Sequence, residues 1–158
     1  MGKARGRQSL TPALQIAAMR NRFPSLRLVD PRHHVWRGSV TPIEGGRVFT
    51  LEVHSNWKRA GRPRARVVDP KLVNMPGSSV PPHTFADGTL CLYHINDYRW
   101  SGDQRIADTI VPWACEWCFY YEVWLATGEW ISAQFPHVGP KPASTDEPLT
   151  AAETRRAA

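Results

Sequence analysis

The chemistry open to this chain starts with its thiols. Cys91 lies near the end of the run Pro82-His83-Thr84-Phe85-Ala86-Asp87-Gly88-Thr89-Leu90-Cys91-Leu92, eight residues after a histidine. A cysteine thiolate is a good nucleophile, and a sharp turn beside it can hold it toward solvent. Asp87-Gly88 is such a turn, because glycine takes positive φ without a Cβ clash. Thr89 to Tyr93 then reads as a short extended segment. Two readings of Cys91 stand on local pattern alone: an exposed nucleophile, or a buried thiol on a short strand, since free cysteine is among the most buried residue types.

The other two cysteines form Cys115-Glu116-Trp117-Cys118. A redox pair of this spacing belongs at a helix start after a strand, and here a helix-like segment precedes it. A zinc site needs four ligands, and the sequence has no second cysteine pair. At i and i+3 both thiols share one helix face, so they read as small residues buried between tryptophans. His33, His34 and His54 have no evident partner in the sequence, His137 lies near the C-terminal end, and none is assigned a role.

Gly88-Thr89-Leu90-Cys91-Leu92, with His83 before it and Trp100 after it, resembles the active-site flap of ubiquitin-conjugating enzymes. There a His-Pro-Asn motif precedes a Gly-x-Ile-Cys-Leu segment and a tryptophan follows. The resemblance runs through most of residues 10–131 and is shared with bacterial relatives encoded beside cyclic-nucleotide synthases in antiphage (CBASS) operons. It implies an α+β, UBC-like fold: an N-terminal helix, an antiparallel β-meander, a cysteine flap and C-terminal helices. It also implies that Cys91 and His83 are catalytic, Cys91 carrying the C-terminus of a protein as a thioester before passing it to an amine. The implied partner is the cyclic-nucleotide synthase, with a separate activating enzyme or none, because no adenylation domain fits in this chain. Arg20 and Arg22 on the opening helix match the region that contacts an activating enzyme, or they simply favour the helix C-terminus. No cofactor or metal is implied. The chain departs from the pattern at Thr84 and Phe85, which stand where the family has Pro and Asn, and its His-to-Cys interval is two residues shorter. The oxyanion role of that Asn is vacant or filled by another group, with Asn96 and His94 near in sequence. The competing readings are a catalytically inactive binding module of the same fold and a thiol-disulfide enzyme.

These residues need elements to position them. The 158 residues suffice for one domain with its own core. We expect a basic arm over 1–8, a conjugating domain over 9–135 and a flexible tail over 136–158. No apolar run approaches a membrane span of roughly 20 residues, and the odd count of three cysteines argues against a disulfide framework. A reducing cytoplasm fits. The charge is uneven: residues 1–72 carry 15 Lys+Arg against 4 Asp+Glu, and residues 73–158 carry 5 against 10. A basic half suits docking to an acidic protein surface. Nucleic acid ranks last, because no binding motif accompanies the charge.

Thr11 is a fitting N-cap and Pro12 a fitting first helical residue, with Leu14, Ala17 and Ala18 as the apolar face and Leu10 in reach. Phe23-Pro24 ends the helix. Strands are expected at 33–40, 47–54 and 64–68. The second alternates through Val48, Leu51 and Val53, with Phe49 out of order, and Gly/Pro turns join all three. Residues 69–82 form a loop to the site. After Trp100, Ser101 or Asp103 caps a short helix from Arg105. A break at Val111-Pro112 separates it from a longer helix over Pro112–Ala126, stopped by Gly128. Trp130-Ile131 reads as a last short strand or a helix end.

Overall fold

The computed structural model describes residues 10–57, 62–93 and 100–131. The arm over 1–8, the tail over 136–158, Asn96 and His94 lie outside the described residues. Helix α1 spans Pro12–Arg22, with the Thr11 hydroxyl accepting from the Leu14 N–H. Strands β1 (Arg27–Asp30), β2 (Val35–Val40), β3 (Phe49–Trp57) and β4 (Arg62–Asp69) form one antiparallel sheet in the order β1-β2-β3-β4. A 3-10 turn over Ile106–Asp108 leads into α2, Ile110–Thr127.

The meander therefore has four strands where the sequence suggested three. β1 has only four residues and half of them are exposed, so it carries no apolar run to read. Register corrects a second expectation. In β3 the core residues are Phe49, Leu51 and Val53, all fully buried, whereas Val48 is exposed. Phe49 is therefore in strict period-two order and Val48 lies outside it. Val40↔Phe49, Gly38↔Leu51 and Trp36↔Val53 face each other across β2 and β3. Leu51↔Val67 and Val53↔Ala65 continue that inner face onto β4. Gly38 is required there: a Cβ would lie 1.9 Å from the Ser25 carbonyl oxygen.

The apolar face of α1 is also displaced from the expected one. Met19 is buried and Ile16 and Ala18 pack on the core, while Leu14 and Ala17 are exposed. The cause is Gln15. Its side-chain amide donates to the Gln104 carbonyl at 2.7 Å and its Oε1 accepts from the Ile106 N–H at 3.1 Å. That polar clip turns the Gln15 and Met19 side inward and Leu14 outward. Ser101 and Asp103 do not cap the next helix; they hydrogen-bond each other.

The break before α2 falls at Thr109 rather than at Val111-Pro112. Pro112 is the third residue of α2, in the turn whose N–H groups have no helical acceptor, so its missing donor costs nothing. Gly128 ends the helix in a left-handed cap, its N–H reaching the Trp124 carbonyl at 2.8 Å. α2 lays Ile110, Val111, Ala114, Trp117, Cys118 and Tyr121 against the sheet. Burial of these side chains stabilises the domain by about 1.5–3 kcal/mol for each large one. Trp130-Ile131 is neither strand nor helix. Among the described residues no helix is long and apolar enough to cross a membrane.

Candidate active site

β4 is an edge strand, and its free edge holds the cysteine segment. The Leu90 N–H donates to the Ala65 carbonyl at 2.8 Å, and the Tyr93 hydroxyl donates to the Pro63 carbonyl at 3.0 Å. Leu90 and Leu92 are buried, so Cys91 between them turns away from the core and is half-buried.

A small hairpin presents it. Thr84 and Leu90 bridge antiparallel, and the Phe85 N–H reaches the Thr89 carbonyl at 2.8 Å. Asp87 Oδ1 accepts from the Thr89 N–H at 3.0 Å and from the Thr89 hydroxyl at 2.6 Å, an Asx turn that fixes the reversal. Gly88 follows at φ +80°, a conformation that only glycine takes freely.

His83 sits at the hub through its backbone. Its carbonyl oxygen accepts from the Cys91 N–H at 2.9 Å and from the Trp117 Nε1–H at 2.9 Å. One oxygen thus ties the cysteine to α2. His83 is held at φ +51°, the left-handed region. That conformation costs about 1–3 kcal/mol in a non-glycine residue, which the two hydrogen bonds offset. The imidazole packs against the Trp130 ring at 4.8 Å, and burial pushes it below the ordinary histidine value. It is therefore neutral at pH 7.

Electrostatics at Cys91 pull in two directions. Burial raises the thiol, and the nearby Arg64 guanidinium opposes that rise. Cys115 is also half-buried, and burial pushes it up to about 11. Cys118 is buried and raised well above an ordinary thiol, by burial first and then by Cys115 and Glu122. Exposure alone thus does not separate Cys91 from Cys115, contrary to the expectation that both helix thiols are covered. All three cysteines are free. Among the described residues no cluster of three or more His, Cys, Asp or Glu is placed to hold a metal ion.

The structure brings His83 and Cys91 together and leaves Arg20 and Arg22 apart from them. Arg22 pairs with Asp108 at 2.6 Å, tying α1 to the 3-10 turn. Arg20 is exposed and lines a groove with Ile16, Leu26, Arg27, Leu28 and Trp36. Two of the unassigned histidines have partners: His33 Nδ1 meets Asp30 at 2.7 Å, and His54 Nε2 meets Glu52 at 2.8 Å, while His137 lies outside the described residues. Sequence reasoning missed Trp117 and Trp130 as supports of the site, and Arg64 as its charge. The period-two pattern of β4 could have flagged Arg64, since Pro63 and Ala65 point inward and it must point out.

A helix, an antiparallel meander, a turn-borne cysteine and a closing helix, in that order, are compatible with an E2-like α+β fold. The model of the Type II CBASS E2 protein family matches residues 15–138, and the chain belongs to that family. No curated protein matches the chain.

Proposed function

We propose that this protein is an E2-like acyl carrier of a CBASS system, with Cys91 as the nucleophile. The observation that carries the reading is the hairpin: it turns Cys91 outward between two buried leucines while His83 anchors its backbone. The Cys91 thiol loses its proton, and the sulfur attacks the activated C-terminal carbonyl of a protein. The activating group leaves with its electron pair and a thioester results. An amine then attacks that carbonyl, the Cys91 thiolate leaves, and an amide forms. His83, neutral and packed on Trp130, holds the flap. The carried protein is the cyclic-nucleotide synthase of the same system, and Arg20 and Arg22 contact the activating partner. The alternative, an inactive binding module, draws support from the burial that raises the Cys91 thiol and from Thr84-Phe85 in place of Pro-Asn.

The test combines three variants with the synthase and its activating enzyme, followed by intact mass and non-reducing gels. Wild type forms an adduct cleaved by thiols and hydroxylamine. Cys91→Ser traps a thiol-stable ester or charges too slowly to detect, and Cys91→Ala forms nothing. His83→Ala slows charging without removing the attachment point. A labile adduct on Cys91→Ala gives the assignment to the binding module.

A further inference from the structure

Two contacts tie the cysteine segment to β4. Pro63 of β4 holds Tyr93 and Ala65 holds Leu90, through the hydrogen bonds at 3.0 Å and 2.8 Å. Between the two β4 residues is Arg64; between the two partners are Cys91 and Leu92. Pro63, Ala65, Leu90 and Leu92 are buried, Arg64 and Cys91 are half-buried among them, and the Arg64 charge reaches the Cys91 thiol. The Arg64 guanidinium is held there by two rings that flank the cysteine in sequence, 4.6 Å from the Phe85 centroid and 5.9 Å from that of Tyr93. Arg37 and Arg66 on neighbouring positions of the sheet are drawn to Glu52. Among the described residues no carboxylate pairs with Arg64.

We propose that Arg64 is the counter-ion of the Cys91 thiolate, a positioning residue that makes a half-buried thiol ionise at working pH. This rests on the reading of Cys91 as the nucleophile. Among the described residues, the other titratable groups on elements packed around Cys91 do not supply that charge. His83 is neutral, Asp87 is an anion bonded to Thr89, and Cys115 and Glu116 of α2 carry no positive charge. A guanidinium stays charged at every pH used, so its effect on the thiol is permanent.

The test needs no partner protein. The rate of Cys91 alkylation is followed by mass mapping from pH 6.5 to 10 in folded wild type, Arg64→Gln and Arg64→Lys, with neutral iodoacetamide and with anionic iodoacetate. Arg64→Gln is expected to raise the apparent thiol pKa by about one unit and to lower the iodoacetamide rate at pH 8 by roughly three- to tenfold, in step with the thiolate fraction. Its iodoacetate rate falls further, because the anion loses its attraction as well. Arg64→Lys keeps the charge and follows wild type in both respects. An unchanged profile and reagent ratio in Arg64→Gln overturns the proposal. So does an Arg64→Lys that behaves like Arg64→Gln, which would assign the effect to ring stacking. If Arg64→Gln does not fold, Arg64→Lys and the wild-type reagent ratio decide. A failed conjugation assay would remove the acyl-carrier reading and leave the Arg64 result standing; an Arg64→Gln profile unchanged from wild type would do the reverse.

Discussion

Replacing Glu52 by Gln should destabilise the domain in a pH-dependent way. Glu52 lies on the outer sheet face, 2 % exposed, where Arg37 of β2, His54 of β3 and Arg66 of β4 converge on its carboxylate. Register puts them in a row: Arg37↔Glu52↔Arg66. Burial alone would raise the carboxyl, but the hydrogen bonds from Arg37, His54 and Arg66 win and hold it at about 2, down from 4.5. A folded-state value below the unfolded one stabilises above the unfolded value and is lost as pH falls through the folded one. The shift is worth about 3 kcal/mol at pH 7 and about 1 kcal/mol at pH 3. Gln keeps the shape and one acceptor, and the two arginines are about half exposed, so their charges remain hydrated in the variant. Urea denaturation of both proteins at pH 7 and pH 3 reads the difference directly. The expected gap shrinks by about two-thirds between the two. A gap of equal size at both pH values would mean that the loss is packing and not charge. The consequence reaches the site, because Arg66 neighbours the Ala65 that holds Leu90.

Mass-mapped labelling of the native protein should follow the order Cys91, then Cys115, then Cys118, because burial raises the second to about 11 and the third, which is fully buried, well above an ordinary thiol; preferential labelling of Cys118 would refute this packing. Trp117→Phe removes one of the two donors to the His83 carbonyl and part of a ring stacked on Tyr121 at 5.3 Å. It should cost about 1–3 kcal/mol in denaturation and speed Cys91 labelling as the hairpin loosens. Arg20→Glu with Arg22→Glu should slow association with the activating partner and flatten its salt dependence, measured as an on-rate over ionic strength. Loss of the exposed Arg22–Asp108 pair should change stability by no more than about 1 kcal/mol.

Local chemistry was legible where one residue decides it. Thr11-Pro12 marked the start of α1, Gly128 the end of α2, and Asp87-Gly88 the turn before Cys91. Each of these acts through its own backbone or its nearest neighbours. What the sequence hid depends on distant partners. The inward turn of α1 follows from Gln15 reaching Gln104 and Ile106, 89 and 91 residues away. Pro112 read as a helix breaker because its place in the first turn depends on where the helix begins. Candidate residues His83 and Cys91 could be named only from the resemblance of their segment to the flap of ubiquitin-conjugating enzymes. The left-handed backbone of His83 could not, since it is held by Trp117 from another element. Arg64 reads as one of many arginines in a basic half until β4 sets its guanidinium against Phe85 and Tyr93, on either side of the cysteine in sequence.

An acyl-carrier role requires that Cys91 itself carry the acyl group. The most direct measurement is to incubate wild type with the synthase and activating enzyme, digest without reductant and map the modified peptide, with and without hydroxylamine. An adduct is expected on the peptide containing Cys91, released by hydroxylamine and absent from Cys91→Ala. A labile adduct mapped to Cys115 or Cys118, or one that persists in Cys91→Ala, would contradict it.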